Sequence, residues 1–132
     1  MSQENVELIR RAYEAWNEGG AEATKEFWTE NVELHDPPTL PDSRVVRGRD
    51  AVAGYLTDQV SVVGDMKVTP VDVRTRGAIV ALRMELTLHG TKSGVDVPGE
   101  MPQVIEIADG RILRIRLFFT WEEALKAAGL QE

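Results

Sequence analysis

Apolar side chains recur at helical spacing through the first third of the chain and at a period of two through most of the rest. Val6, Ile9, Tyr13 and Trp16 fall on one helical face, with Leu8, Ala12 and Ala15 beside them. Ser2 can cap the start of this helix, and Gly19-Gly20 stops it. Residues 21–28 read as a second short helix, with Thr24, Phe27 and Trp28 on one side. Val32, Leu34 and Asp36 then alternate with Glu33 and His35, which is the pattern of a short strand. Residues 37–47 contain Pro37, Pro38 and Pro41 and are expected to form an irregular loop able to act as a lid. Residues 48–63 read as a third helix with Val52, Tyr55, Leu56, Val60 and Val63 on its apolar face, and Gly64-Asp65 breaks the chain after it.

From Met66 the alternation takes over. Residues 66–76 form a strand that Pro70 pushes toward a sheet edge, because proline cannot donate to the ladder. After a turn at Gly77, Val80, Leu82, Met84, Leu86 and Leu88 make the apolar row of a long strand. Residues 90–99 are expected to be a loop or irregular hairpin. Met101, Gln103, Ile105 and Ile107 make the next apolar row, Asp109-Gly110 a hairpin turn, and Leu113, Ile115, Leu117 and Phe119 the last row. Thr120-Trp121-Glu122-Glu123 fits a capping box opening a short helix that Gly129 ends.

Helices followed by a run of antiparallel strands indicate a single α+β domain over residues 1–132. The expected shape is a cone, a curved antiparallel sheet wrapped around three N-terminal helices with a short C-terminal helix. A blind cavity between sheet and helices would suit a small molecule.

Two polar side chains interrupt the apolar rows, and they are the candidate catalytic groups. Asp36 shares its row with Val32 and Leu34, so a core-facing row carries a carboxyl inward. Pro37 restricts Asp36 to extended backbone and so directs the carboxyl. It would remove a proton from carbon or water; the alternative is an aspartate that only caps the following loop. Gln103 would donate to a developing oxyanion, or else is a satisfied buried amide. Tyr13, Trp16, Trp28, Tyr55, Met84, Met101 and Phe119 are the candidate ligand-binding wall, each of which also fits a plain core role. His35 falls on the row opposite Asp36, so the two make no dyad.

Composition narrows the chemistry. The chain has 132 residues, no cysteine and a formal net charge of −7. The acidic balance disfavours nucleic acid and anionic membranes as partners. Without cysteine there is no thiolate nucleophile, and no His-x-His or His-Glu-x-x-His spacing offers a metal site. No cofactor or metal is expected. The polar N-terminus is unlike a signal peptide and no apolar run is long enough to span a membrane, so the expected location is cytoplasmic.

Three segments carry a likeness to a known family: residues 5–20 (NVELIRRAYEAWNEGG), 32–52 (VELHDPPTLPDSRVVRGRDAV) and 93–130. The chain resembles the SnoaL-like branch of the nuclear-transport-factor-2-like superfamily, whose members include isomerases, cyclases, dehydratases, hydrolases and proteins without catalysis. The resemblance implies a homodimer packed through the outer face of the sheet. In the similar ketosteroid isomerases the base is an aspartate in an Asp-Pro step, matched by Asp36-Pro37. Their tyrosine donor falls on Ala12 here, and their aspartic-acid donor falls on Gln103. The relatives that hydrolyse epoxides use an Asp-Arg-Asp set, but Arg83, Arg114 and Arg116 all lie on polar rows.

The reading is thus a pocket protein for a small apolar molecule, with cofactor-independent acid/base chemistry on a carbonyl or polyketide-like compound. A non-catalytic binding or dimerisation module is the alternative, and an epoxide-hydrolase-like enzyme the third.

Overall fold

The computed structural model describes residues 2–63, 65–89 and 96–130. Helix α1 is Ser2–Thr24, and its inward stripe of Ile9, Ala12 and Tyr13 is buried, with Trp16 half-buried and Val6 exposed. At Gly20 the backbone takes φ 72° and ψ −156°, so two helical segments meet at a kink there. The second segment is shorter than its pattern suggested. It ends at Thr24, a 3₁₀ turn covers Lys25–Phe27, and Trp28 opens strand β1, Trp28–His35. The Trp28 carbonyl is taken by the Arg49 guanidinium, whose Nε and Nη2 donate to it at 3.0 and 2.8 Å, in place of a helical partner.

The remaining elements are β2 Val45–Arg47, α2 Arg49–Val63, β3 Asp65–Arg76, β4 Ile79–His89, β5 Asp96–Glu100, β6 Gln103–Ala108, β7 Arg111–Leu117 and α3 Trp121–Ala127. Two pieces of expected loop prove to be strand. Residues 45–47 pair with β1, and residues 96–100 pair with β4; residues 90–95 of that expected loop lie outside the described residues.

The strands form one sheet in the order β2-β1-β7-β6-β4-β3, with β5 also on β4. The architecture is α+β, as the element order implied. Its sheet is mixed, because β1 runs parallel to β7 while the other pairs are antiparallel. These two strands stand at opposite ends of the sequence, so no hairpin dictates their relative direction. Strand β3 lies at the sheet edge, where its Pro70 costs no central ladder bond, and the register slips there so that Val71 is exposed.

One register shift changes which residues face inward. Ile107 pairs with Ile112 but Glu106 with Arg114, so β7 carries an extra residue at Leu113. The bulge reverses the parity of the strand below it. Ile112 is therefore buried beside Ile115, and the expected row beginning at Leu113 is replaced by Ile112, Ile115 and Leu117.

The main core lies between the sheet's inner face and the helices, joining Ile9, Tyr13, Trp28, Leu34, Val52, Leu82, Met84 and Ile105. A smaller cluster on the other face joins Ala81, Val104 and Phe118 to Ala124 and Ala128, which seats α3 there. Its cap is as expected: the Thr120 hydroxyl oxygen accepts from the Glu123 backbone N–H at 3.1 Å. Among the described residues no helix is long and apolar enough to cross a membrane.

Candidate active site

The alternation of β1 delivers what the sequence implied. Val32, Leu34 and Asp36 are all buried, Asp36 at 8% exposure, while Glu33 and His35 are half-buried on the opposite side. Asp36 reaches a cavity of about 380 Å³ between the helices and the inner face of the sheet. Its wall includes all nine side chains singled out from the sequence: Asp36, Gln103, Tyr13, Trp16, Trp28, Tyr55, Met84, Met101 and Phe119. Phe119 is 49% exposed and so stands at the mouth, together with Leu40, which is 40% exposed.

The polar groups are paired, and the pairing was not visible in the sequence. The Tyr55 hydroxyl donates to Asp36 and lies 2.9 Å from Oδ1 and 2.8 Å from Oδ2. The Arg44 backbone N–H donates to Oδ2 at 3.3 Å. On the far side, the Tyr13 hydroxyl donates to Oε1 of Gln103. With its oxygen engaged, Gln103 has its amide nitrogen left to present to a ligand. Burial pushes the Tyr13 phenol well above its ordinary range. The Tyr55 phenol is also raised, by burial first and then by the hydrogen bond and charge of Asp36, against the opposing charge of Arg44. Both therefore stay protonated at neutral pH and act as donors.

The loop between β1 and β2 is tied to Asp36 at both ends. The Asp36 N–H donates to the Arg44 carbonyl at 3.1 Å, and the Ser43 hydroxyl donates to the Asp36 carbonyl at 3.3 Å. The Arg44 guanidinium lies over the Tyr55 ring, 5.2 Å from its centroid. Pro37 and Leu40 of this loop line the cavity. A helical face count puts Tyr55 toward the sheet, and the structure shows its hydroxyl reaching the carboxyl just after β1.

Thr24 and Gln59 are the other polar side chains on the wall, which is mainly apolar. Among its described lining residues there is one carboxyl and no lysine, arginine or histidine. The arginines of the outer face are engaged elsewhere. Arg114 bonds Glu33 at 3.1 Å and Glu106 at 2.6 Å, and Arg83 bonds Glu100 at 2.8 Å. Arg116 sits between Ile115 and Leu117 of the inward row, and its buried Nε has no hydrogen-bond partner. His35 lies with its Nε2 2.9 Å from Glu33, away from Asp36. Glu33 is held down to about 2 by the hydrogen bond to His35 first, and then by those from Arg114 and Arg47.

Known structures share this arrangement of elements. TerC, crystallised with polyporic acid, is 17% identical, covers 95% of this chain and 97% of its own, and has a TM-score of 0.75. SalBIII, an epoxide hydrolase/cyclase-like enzyme in pyran ring formation of the polyether salinomycin, is 22% identical over 90% of this chain and 92% of its own, TM-score 0.74. A putative SnoaL-like polyketide cyclase from Jannaschia sp. CCS1 is 20% identical over 98% and 94%, TM-score 0.70. At such identities the likeness is one of fold. No curated protein matches the chain. A profile of the SnoaL-like domain does match, over residues 9–115, which take in α1 from Ile9, the Asp36-Pro37 step and the inward rows of the sheet as far as Ile115; the chain belongs to the SnoaL-like domain family of the nuclear-transport-factor-2-like superfamily.

Proposed function

We propose that the protein performs cofactor-independent proton transfer on a small, neutral, largely apolar carbonyl compound. Asp36 is the base, the Gln103 amide steadies the developing oxyanion, and the two tyrosines hold these groups in place. The observation that carries this reading is the meeting of Asp36 and Gln103 on one open, apolar cavity. A carboxylate in a mainly apolar wall is available as a base to a carbon acid bound against it. The Gln103 amide on the same cavity supports this reading, since an N–H donor there can stabilise charge gathering on a substrate oxygen.

A second reading has its own support. Tyr55 and the Arg44 N–H already satisfy much of the Asp36 carboxylate, as they would in a binding module without turnover. An epoxide-hydrolase reaction of the Asp-Arg-Asp kind is less well supported, because no arginine is among the described lining residues.

Ring opening of 5-nitrobenzisoxazole separates the first two. The base takes the C3 proton, the C–H electron pair completes the nitrile, and the N–O bond breaks to leave its pair on the phenolate oxygen of the single product, 2-cyano-4-nitrophenolate. Asp36→Asn is expected to lower the rate about 10²-fold or more. Gln103→Ala is expected to lower it on the order of ten-fold or more through the phenolate. A rate equal in wild type and Asp36→Asn would leave only the binding module.

A further inference from the structure

A carboxylate this deeply buried ordinarily has a cationic partner, because taking a charge out of water is costly. Asp36 has none: among the described residues its carboxyl meets only the Tyr55 hydroxyl and the Arg44 backbone N–H. The Arg44 guanidinium is turned instead onto the Tyr55 ring. The cavity that Asp36 reaches is lined by four aromatic residues, Tyr13, Trp16, Trp28 and Tyr55. Aromatic faces attract organic cations, and more strongly once water is excluded.

The acceptors can be counted. Oδ2 of Asp36 takes both Tyr55 and Arg44, while Oδ1 takes only its share of the Tyr55 proton. Oε1 of Gln103 is taken by Tyr13. Thr24 and Gln59 also line the cavity with oxygen acceptors of their own, and Oδ1 is the less engaged oxygen of the one carboxylate on its described wall. A tertiary ammonium gives its single N–H to that charged oxygen and lays its alkyl groups against the apolar wall.

We infer that the cavity is also a binding site for compact tertiary amines, taken as their ammonium ions with the N–H on Oδ1 of Asp36 and the alkyl groups against the aromatic wall. This rests on the cavity being a ligand pocket, and not on Asp36 acting as a base.

The test is binding of N,N-dimethylbenzylamine at neutral pH against its uncharged isostere isobutylbenzene, followed by the fluorescence of Trp16 and Trp28. The amine is expected to bind at least about ten-fold more tightly, since it adds a charge-assisted hydrogen bond and cation–π contact. In Asp36→Asn that ratio is expected to fall to near one. Benzyltrimethylammonium, which has no N–H, is expected to bind several-fold more weakly than the amine. Equal binding of amine and isostere overturns the inference while the pocket stands. An unchanged ratio in Asp36→Asn overturns it as well. If neither compound binds, the inference fails, and turnover of 5-nitrobenzisoxazole shows separately whether the base reading survives. The wild-type comparison needs no variant, so it decides the matter even if Asp36→Asn does not fold.

Discussion

Tyr13 and Tyr55 divide the cavity between them. Tyr55 offers one proton to both oxygens of Asp36, and the cation of Arg44 on its outer face steadies the ring. Tyr13 offers its proton to Gln103 and so fixes which end of the amide faces a ligand. Removing the second contact has a definite consequence. Tyr13→Phe leaves a buried amide oxygen without its donor, and the expected loss of stability is about 1–3 kcal/mol, read by urea unfolding. The paired variant Tyr13→Phe/Gln103→Leu is expected to recover part of that loss, because both polar partners are then gone. No recovery would mean that the two groups are not coupled.

The helices are joined to the sheet by a few side chains that imitate backbone. The Asn17 amide donates to the Val68 carbonyl and accepts from the Val68 N–H, both at 2.8 Å, so it pairs with edge strand β3 as a peptide unit would. Trp16 adds a bond from its indole N–H to the Met66 carbonyl at 3.2 Å. Asn17→Ala removes two bonds at once and is expected to cost about 1–3 kcal/mol, with faster amide exchange at Val68 as the local sign. Gly48, between β2 and α2, has φ 94°, and its N–H donates to the Val32 carbonyl at 2.8 Å. Gly48→Ala meets no side chain. Its cost is then backbone strain alone, about 1–3 kcal/mol by thermal melting. Both residues belong to segments that carried the family likeness, so those segments hold joints of the fold as well as the Asp36-Pro37 step.

Across the molecule, what could be read from the sequence was what period two and period 3.6 encode. The inward row Val32-Leu34-Asp36, the rows of β4 and β6, the edge position of β3 and the cap of α3 all follow from local pattern. The parallel pairing of β1 with β7 and the Leu113 bulge depend on strands far apart in the chain, so no local period records them. The same holds for the site. Its members were identifiable as inward residues, but the Tyr55–Asp36 and Tyr13–Gln103 pairs join residues 19 and 90 positions apart.

The outer face carries the clearest pH dependence. Glu33, with an ordinary pKa of 4.5, is depressed to about 2 in the fold. It therefore adds stability that is fully present above about 4.5 and is lost as pH falls from there toward 2. Glu33→Gln is expected to flatten the melting temperature over that interval. An unchanged slope would mean that the contacts with His35, Arg114 and Arg47 contribute little.

The proton-transfer reading itself is exposed most plainly by deuterium uptake at the carbon beside the carbonyl of 2-tetralone, followed by NMR in D₂O. Wild-type protein is expected to accelerate uptake over buffer by about 10²-fold or more, and Asp36→Asn to abolish the gain. Uptake no faster than in buffer, or equally fast with Asp36→Asn, would contradict a catalytic role for the carboxyl in the cavity.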